Sequence, residues 1–87
     1  MQSFSIVAGN SIKKDLRKLP SNVLERVAEM FERLSVDPFG VGAERMTNDV
    51  GYKVRVGDYQ IRFDVDVKSR EVTILRVRHR NEVYKKR

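Results

Sequence analysis

Six cations in the second half of this chain are spaced to act together: Lys53, Arg55, Arg62, Arg76, Arg78 and Arg80. Each lies in a stretch where apolar and polar residues alternate, and each falls on the polar phase. Lysine and arginine hold phosphate, and the planar arginine fork does so through paired hydrogen bonds. Aromatic residues accompany them, at Tyr52, Tyr59 and Tyr84. Aromatic rings stack on unpaired bases, so cations with aromatics suit single-stranded RNA. Tyr52 and Tyr59 share the apolar phase and are expected to be mainly structural. Tyr84 lies beyond the last strand and is free to approach the cations.

The elements that must position these residues follow from period two. Tyr52, Val54 and Val56 alternate with Lys53 and Arg55. After Gly57-Asp58, the residues Tyr59, Ile61, Phe63, Val65 and Val67 alternate with Gln60, Arg62, Asp64 and Asp66. One apolar face per strand is the pattern of a half-buried antiparallel sheet. Gly57-Asp58 suits a two-residue hairpin turn, because glycine takes positive φ without steric cost. Val56 then pairs with Tyr59, Val54 with Ile61, Arg55 with Gln60 and Lys53 with Arg62. Like charges directly across two strands repel, and a bound anion is one way to offset that.

Residues 71–79 allow two phases. One turns Val72, Ile74, Arg76 and Arg78 inward and buries two cations. The other turns Thr73, Leu75 and Val77 inward, and the cost of burying unpaired charge selects it. A three-residue loop, Lys68-Ser69-Arg70, then sets Phe63 opposite Leu75 and Arg62 opposite Arg76. Asp64, Asp66, Val72 and Ile74 are expected at the far end of the cationic face.

Upstream, Phe4 and Ile6 mark a short strand over 3–7 that adds to the same sheet. Asn10 or Ser11 can cap a first helix, in which Ile12, Leu16 and Leu19 share a face. Pro20 ends it and Ser21 can cap the next. Over 22–35, Leu24, Val27, Ala28, Phe31 and Leu34 recur at helical spacing. Asp37-Pro38 closes that helix. Residues 39–51, with Gly40, Gly42 and Gly51, read as a loop. The expected fold is a two-layer α+β domain over 1–87, with two N-terminal helices packed on one face of a small antiparallel sheet.

Composition narrows the partners. The 87 residues carry a net charge of +6, with 40% apolar and 34% charged residues, and the pI is about 10.0. Such a surplus favours a polyanion: nucleic acid, an acidic protein segment or an anionic membrane. Without cysteine there is no disulfide and no thiolate metal site, and a cytoplasmic location is compatible. One histidine leaves no multi-histidine metal site, and the aspartates have no metal-ligand spacing. No apolar run is long enough for a membrane span. No cofactor is expected.

Two segments carry a family resemblance. Tyr-Lys-Val-Arg-Val-Gly-Asp-Tyr-Gln-Ile-Arg-Phe at 52–63 and Leu-Arg-Val-Arg-His-Arg-Asn-Glu-Val-Tyr at 75–84 resemble the RelE/ParE toxin superfamily, on the RelE side. The ending His79-Arg80…Val83-Tyr84 is the more specific half. The resemblance implies a toxin that cleaves mRNA in the ribosomal A site without a metal and is neutralised by a cognate antitoxin. In that chemistry the RNA 2′-OH attacks the adjacent phosphate. It needs a proton acceptor, charge stabilisation and help for the leaving oxygen. Carried over by position, Lys53, Arg55, Arg80 and Tyr84 are the catalytic candidates. Crowded cations disfavour one another's charged form, which makes Lys53 the candidate base. The family often has an arginine where Gln60 stands here, and Arg62, on the same face, is the candidate substitute. Arg76, Arg78, His79, Lys85 and Lys86 are RNA-binding candidates, although His79 has core parity.

Two other functions fit the residues. A ParE-type toxin that poisons DNA gyrase would have the same fold, and Gln60 slightly favours it. A nucleic-acid or acidic-protein binding module without activity would use the same cations. A merely solvated sheet face is the plain alternative for Lys53, Arg55, Arg62 and Arg76, although a face built for solubility usually mixes signs.

Overall fold

The computed structural model describes residues 3–47 and 50–81. Its elements run β1 (Ser5–Val7), α1 (Asn10–Arg17), α2 (Ser21–Val36), β2 (Glu44–Arg45), β3 (Tyr52–Val56), β4 (Tyr59–Asp66) and β5 (Glu71–His79). The strands form one five-stranded sheet in the order β1-β5-β4-β3-β2. Both helices cover one face. Ile12, Val27, Met30 and Leu34 meet Val54, Val56, Ile61, Phe63, Val72, Ile74 and Val77 in a continuous buried core. Burial of these side chains is the main favourable term holding the two layers together.

The sheet is mixed, not purely antiparallel. β1 runs parallel to β5, with Ser5, Ile6 and Val7 opposite Glu71, Val72 and Thr73. The two helices and strands β2 to β4 separate β1 from β5 in sequence, and a connection of that length permits parallel pairing. β2 lies inside the stretch read from sequence as loop. It places Glu44 opposite Lys53 and Arg45 opposite Tyr52.

The hairpin register matches the sequence reading at Val56–Tyr59, Arg55–Gln60, Val54–Ile61 and Lys53–Arg62. Gly57 has φ 61°, while Asp58 is not in the left-handed region. Positive φ at the first central residue alone is the pattern of a type II′ turn, whose twist suits a hairpin.

β5 departs from the expected phase. Val72 and Ile74 are buried on the core face, and Ile74, not Leu75, stands opposite Phe63. The loop is four residues long, Val67–Arg70, and Arg70 takes φ 56°. The pairing then shifts by one residue between Phe63 and Arg62, leaving Leu75 as the extra residue of a β-bulge. Beyond it, Arg76 pairs with Arg62 and Val77 with Ile61 as expected. The bulge lets both halves of β5 bury their aliphatic residues and keep their arginines outside. Neither uniform phase allows that.

The helix caps also differ from expectation. Gly9 is the N-cap of α1, and Pro20 that of α2; neither involves a side-chain cap hydrogen bond. The Gly9 carbonyl accepts from Ile12 and Lys13, and the Pro20 carbonyl from Leu24. In α2 the buried residues are Val27, Met30 and Leu34, while Leu24 and Ala28 are exposed. The buried stripe is thus rotated from the one expected.

Candidate nucleic-acid interface

Cross-strand register arranges the cations of the helix-free face in two rows. One row runs Glu44, Lys53, Arg62, Arg76 across β2, β3, β4 and β5. The next runs Arg55, Gln60, Arg78 across β3, β4 and β5. Neighbouring strands lie about 4.8 Å apart, so each row is a short line of charge. The hairpin turn sets the first pairing and the bulge at Leu75 sets the second. Without the bulge, the Arg62–Arg76 and Gln60–Arg78 pairs would not coexist with a buried Val72 and Ile74.

Local partners hold the ends of the grid. Lys53 Nζ lies 3.8 Å from Glu44 Oε1, with both groups substantially solvated. Arg62 Nη2 donates to the Val50 carbonyl at 3.5 Å. Lys53, Arg55 and Gln60 line a cleft of about 320 Å³ together with Val41, Gly42, Glu44 and Val54.

Arg80 lies just past the end of β5, not within it. Its backbone N–H donates to the Asp58 carbonyl at 2.8 Å. Its side-chain Nε is 3.9 Å from Asp58 Oδ1. The hairpin turn thereby holds Arg80 at the end of the sheet nearest the Arg55–Gln60–Arg78 row.

His79 is not brought onto this face. It pairs with Tyr59, and the two rings meet edge to face with centroids 5.0 Å apart. Its Nδ1 accepts the Asn81 N–H at 3.0 Å, which puts the proton of the neutral ring on Nε2. His79 lines a second cleft, of about 350 Å³, with Asp15, Lys18, Leu19 and Tyr59, and its β5 neighbours Arg76, Val77 and Arg78 border the same cleft. There Asp15 Oδ2 accepts the Val77 N–H at 3.3 Å, satisfying a strand donor beyond the reach of β1. The sequence candidates Tyr84, Lys85 and Lys86 lie outside the described residues.

Sequence reasoning missed two residues of the site. Glu44 was hidden in a stretch without period, and only its pairing with Lys53 reveals it. Gly51 precedes β3 with φ 90°, and a Cβ there would run into the Phe63 carbonyl oxygen. Its carbonyl accepts from Met46, so this glycine closes the β2–β3 connection that brings Glu44 to Lys53.

A chain with this sheet and helix pair has known counterparts. The protein-family model for the ParE toxin of type II toxin–antitoxin systems, parDE, matches residues 8–84. The chain belongs to this family, within the RelE/ParE superfamily of type II toxins. Toxin RelG of Mycobacterium tuberculosis is 36% identical over 76 residues, 85% of this chain and 87% of that one. The putative toxin RelE1 of Methanocaldococcus jannaschii is 26% identical, covering 94% of this chain and 96% of its own length. Among solved structures, a chain of the toxin–antitoxin complex RelBE2 from M. tuberculosis superposes with a TM-score of 0.80 at 30% identity. It covers 91% of this chain and 93% of that one. The isolated E. coli RelE toxin, at 21% identity and a TM-score of 0.76, covers 93% and 90% and shares the fold. Among the described residues no helix is long and apolar enough to cross a membrane.

Proposed function

We propose that this toxin is a ribosome-dependent endoribonuclease that cuts mRNA in the A site, without a metal, and that a cognate antitoxin protein restrains it. The observation that carries the reading is the two-row cationic face, built by register and left uncovered by the helices. A row of like charges across three strands costs stability, and a bound polyanion offsets that cost. The toxin names of RelG and RelE1, and the antitoxin bound in the RelBE2 complex, support the biological setting.

The chemistry asks little beyond cations. The RNA 2′-OH loses its proton and its oxygen bonds to the adjacent phosphorus. The bond to the 5′ oxygen of the next nucleotide breaks, and that oxygen takes up a proton. The products are a cyclic phosphate and a free 5′-OH. Lys53, on the Glu44–Lys53–Arg62–Arg76 row, is the base we assign. Arg55 and Arg62 stabilise the charge that builds on the phosphorane oxygens. Arg80, anchored by Asp58, and Tyr84 act at the leaving side. Arg76, Arg78, Lys85 and Lys86 hold flanking phosphates. His79, turned toward Tyr59, is the weakest of the RNA-binding assignments.

Brief, tightly controlled expression followed by mapping of mRNA 5′ ends tests this. Cuts inside translated codons are expected, and they should disappear in Arg80→Ala. Growth arrest with intact mRNA would overturn the reading. It would favour gyrase poisoning, the second reading, which the ParE description of the matching family supports. Binding to RNA with neither arrest nor cuts would leave an inactive binding module.

A further inference from the structure

Gln60 is the neutral position in the cationic grid. Arg55 stands opposite it on β3 and Arg78 opposite it on β5. In the neighbouring row the same strands carry Lys53, Arg62 and Arg76. Gln60 is half-buried and lines the 320 Å³ cleft with Val41, Glu44, Lys53 and Arg55. A phosphate gains much more from a guanidinium than from an amide, so the Gln60 position is poorly suited to holding the RNA backbone. An amide does offer one acceptor oxygen and an NH2 donor side by side. That pair matches the N6 donor and N7 acceptor of adenine. Single-stranded RNA presents such edges freely, because its bases can be turned out of the stack.

We propose that Gln60 is a specificity-determining residue. Its amide reads one adenine of the RNA while Arg55 and Arg78 grip the backbone on either side, and Val41 gives the base an apolar wall. This rests on the nuclease reading for its consequence, a base preference next to the cut, but the recognition itself can be measured without cleavage.

Two measurements separate the two claims. In the first, 5′ ends are mapped after expression of the wild type, Gln60→Ala and Gln60→Arg, and base frequencies around each cut are compared with those of all translated positions. The wild type should show adenine enriched roughly five-fold or more at one fixed position beside the cut, the lower range for a bidentate contact. Gln60→Ala should lose that enrichment. Gln60→Arg should move it to guanine, whose O6 and N7 both accept from a guanidinium. A purely structural role for Gln60 would change the number of cuts and leave their base distribution alone. In the second, the purified protein is titrated with short oligoadenylate, oligouridylate and oligocytidylate. The wild type should prefer oligoadenylate, and Gln60→Ala should bind all three alike. Absence of cuts with the oligoadenylate preference intact would sink the nuclease reading and keep base recognition. Equal affinities in the wild type, or an adenine bias that survives Gln60→Ala, would overturn the inference.

Discussion

Glu44 shows how one carboxylate conditions a cationic surface. It pairs with Lys53 at 3.8 Å across the β2–β3 edge, at the rim of the cleft that holds Arg55 and Gln60. An ion pair this solvated contributes little to stability. Its larger effect is on the polyanion, because an approaching phosphate must displace a carboxylate from Lys53. Glu44→Gln should therefore leave thermal unfolding nearly unchanged and tighten RNA binding about two- to five-fold at low salt. Titration of a short RNA into both proteins checks this. Unchanged affinity would mean that Lys53 does not meet the backbone. At this scale the sequence was informative where residues alternate and silent elsewhere. Lys53, Arg55 and Arg62 were legible because parity alone assigns them a face. Glu44 was not, because a two-residue strand has no period to detect.

The elements show where local pattern fails and why. β3 and β4 were legible because a two-residue turn ties their register to two alternating runs. β5 was legible only beyond Leu75. The bulge changes its parity midway, and no rule acting along one strand reveals an extra residue that only the partner strand defines. The parallel seat of β1 depends on how the helices and the β2–β4 strands between it and β5 pack, a tertiary fact. The caps at Gly9 and Pro20 use backbone carbonyls, so polar side chains nearby misled. Two predictions belong here. Arg62 and Arg76 face each other across the β4–β5 pair, and like charges so placed cost roughly 0.2–1 kcal/mol. Arg76→Gln should raise Tm by about 1–8 °C in a domain this small while weakening RNA binding. Both arginines are half-buried, so high salt should shrink the gain only in part; a lower Tm would show that the pair is compensated in the free protein. Gly51, by contrast, is required by shape. With φ 90° and the Phe63 carbonyl in the way of any Cβ, Gly51→Ala should destabilise the fold by about 1–3 kcal/mol. Denaturant unfolding measures it, and full stability would mean that the β2–β3 connection relaxes freely.

For the whole molecule, the question is whether binding follows net charge or its placement. The chain carries +6, and any surplus of that size draws in a polyanion. Cations also lie on the helix layer, where Lys13 and Lys14 on α1 are exposed. If net charge alone governs affinity, removing any lysine or arginine has the same effect. If the two rows govern it, only their members neutralise phosphates at close range, and salt dependence tells the cases apart. For a single strand, the logarithm of the binding constant falls with the logarithm of salt with a slope of about −0.7 per phosphate neutralised. Arg55→Gln and Arg78→Gln should each flatten that slope by about 0.7, and the double variant by about twice as much. Lys13→Gln removes the same unit of charge from the opposite layer and should leave the slope almost unmoved. Affinity measured for these proteins from low to physiological salt decides between them. Equal flattening by all the variants would reduce the face to a share of the overall charge; flattening confined to Arg55 and Arg78 would make the sheet register, set by the turn at Gly57 and the bulge at Leu75, the device that builds the binding surface.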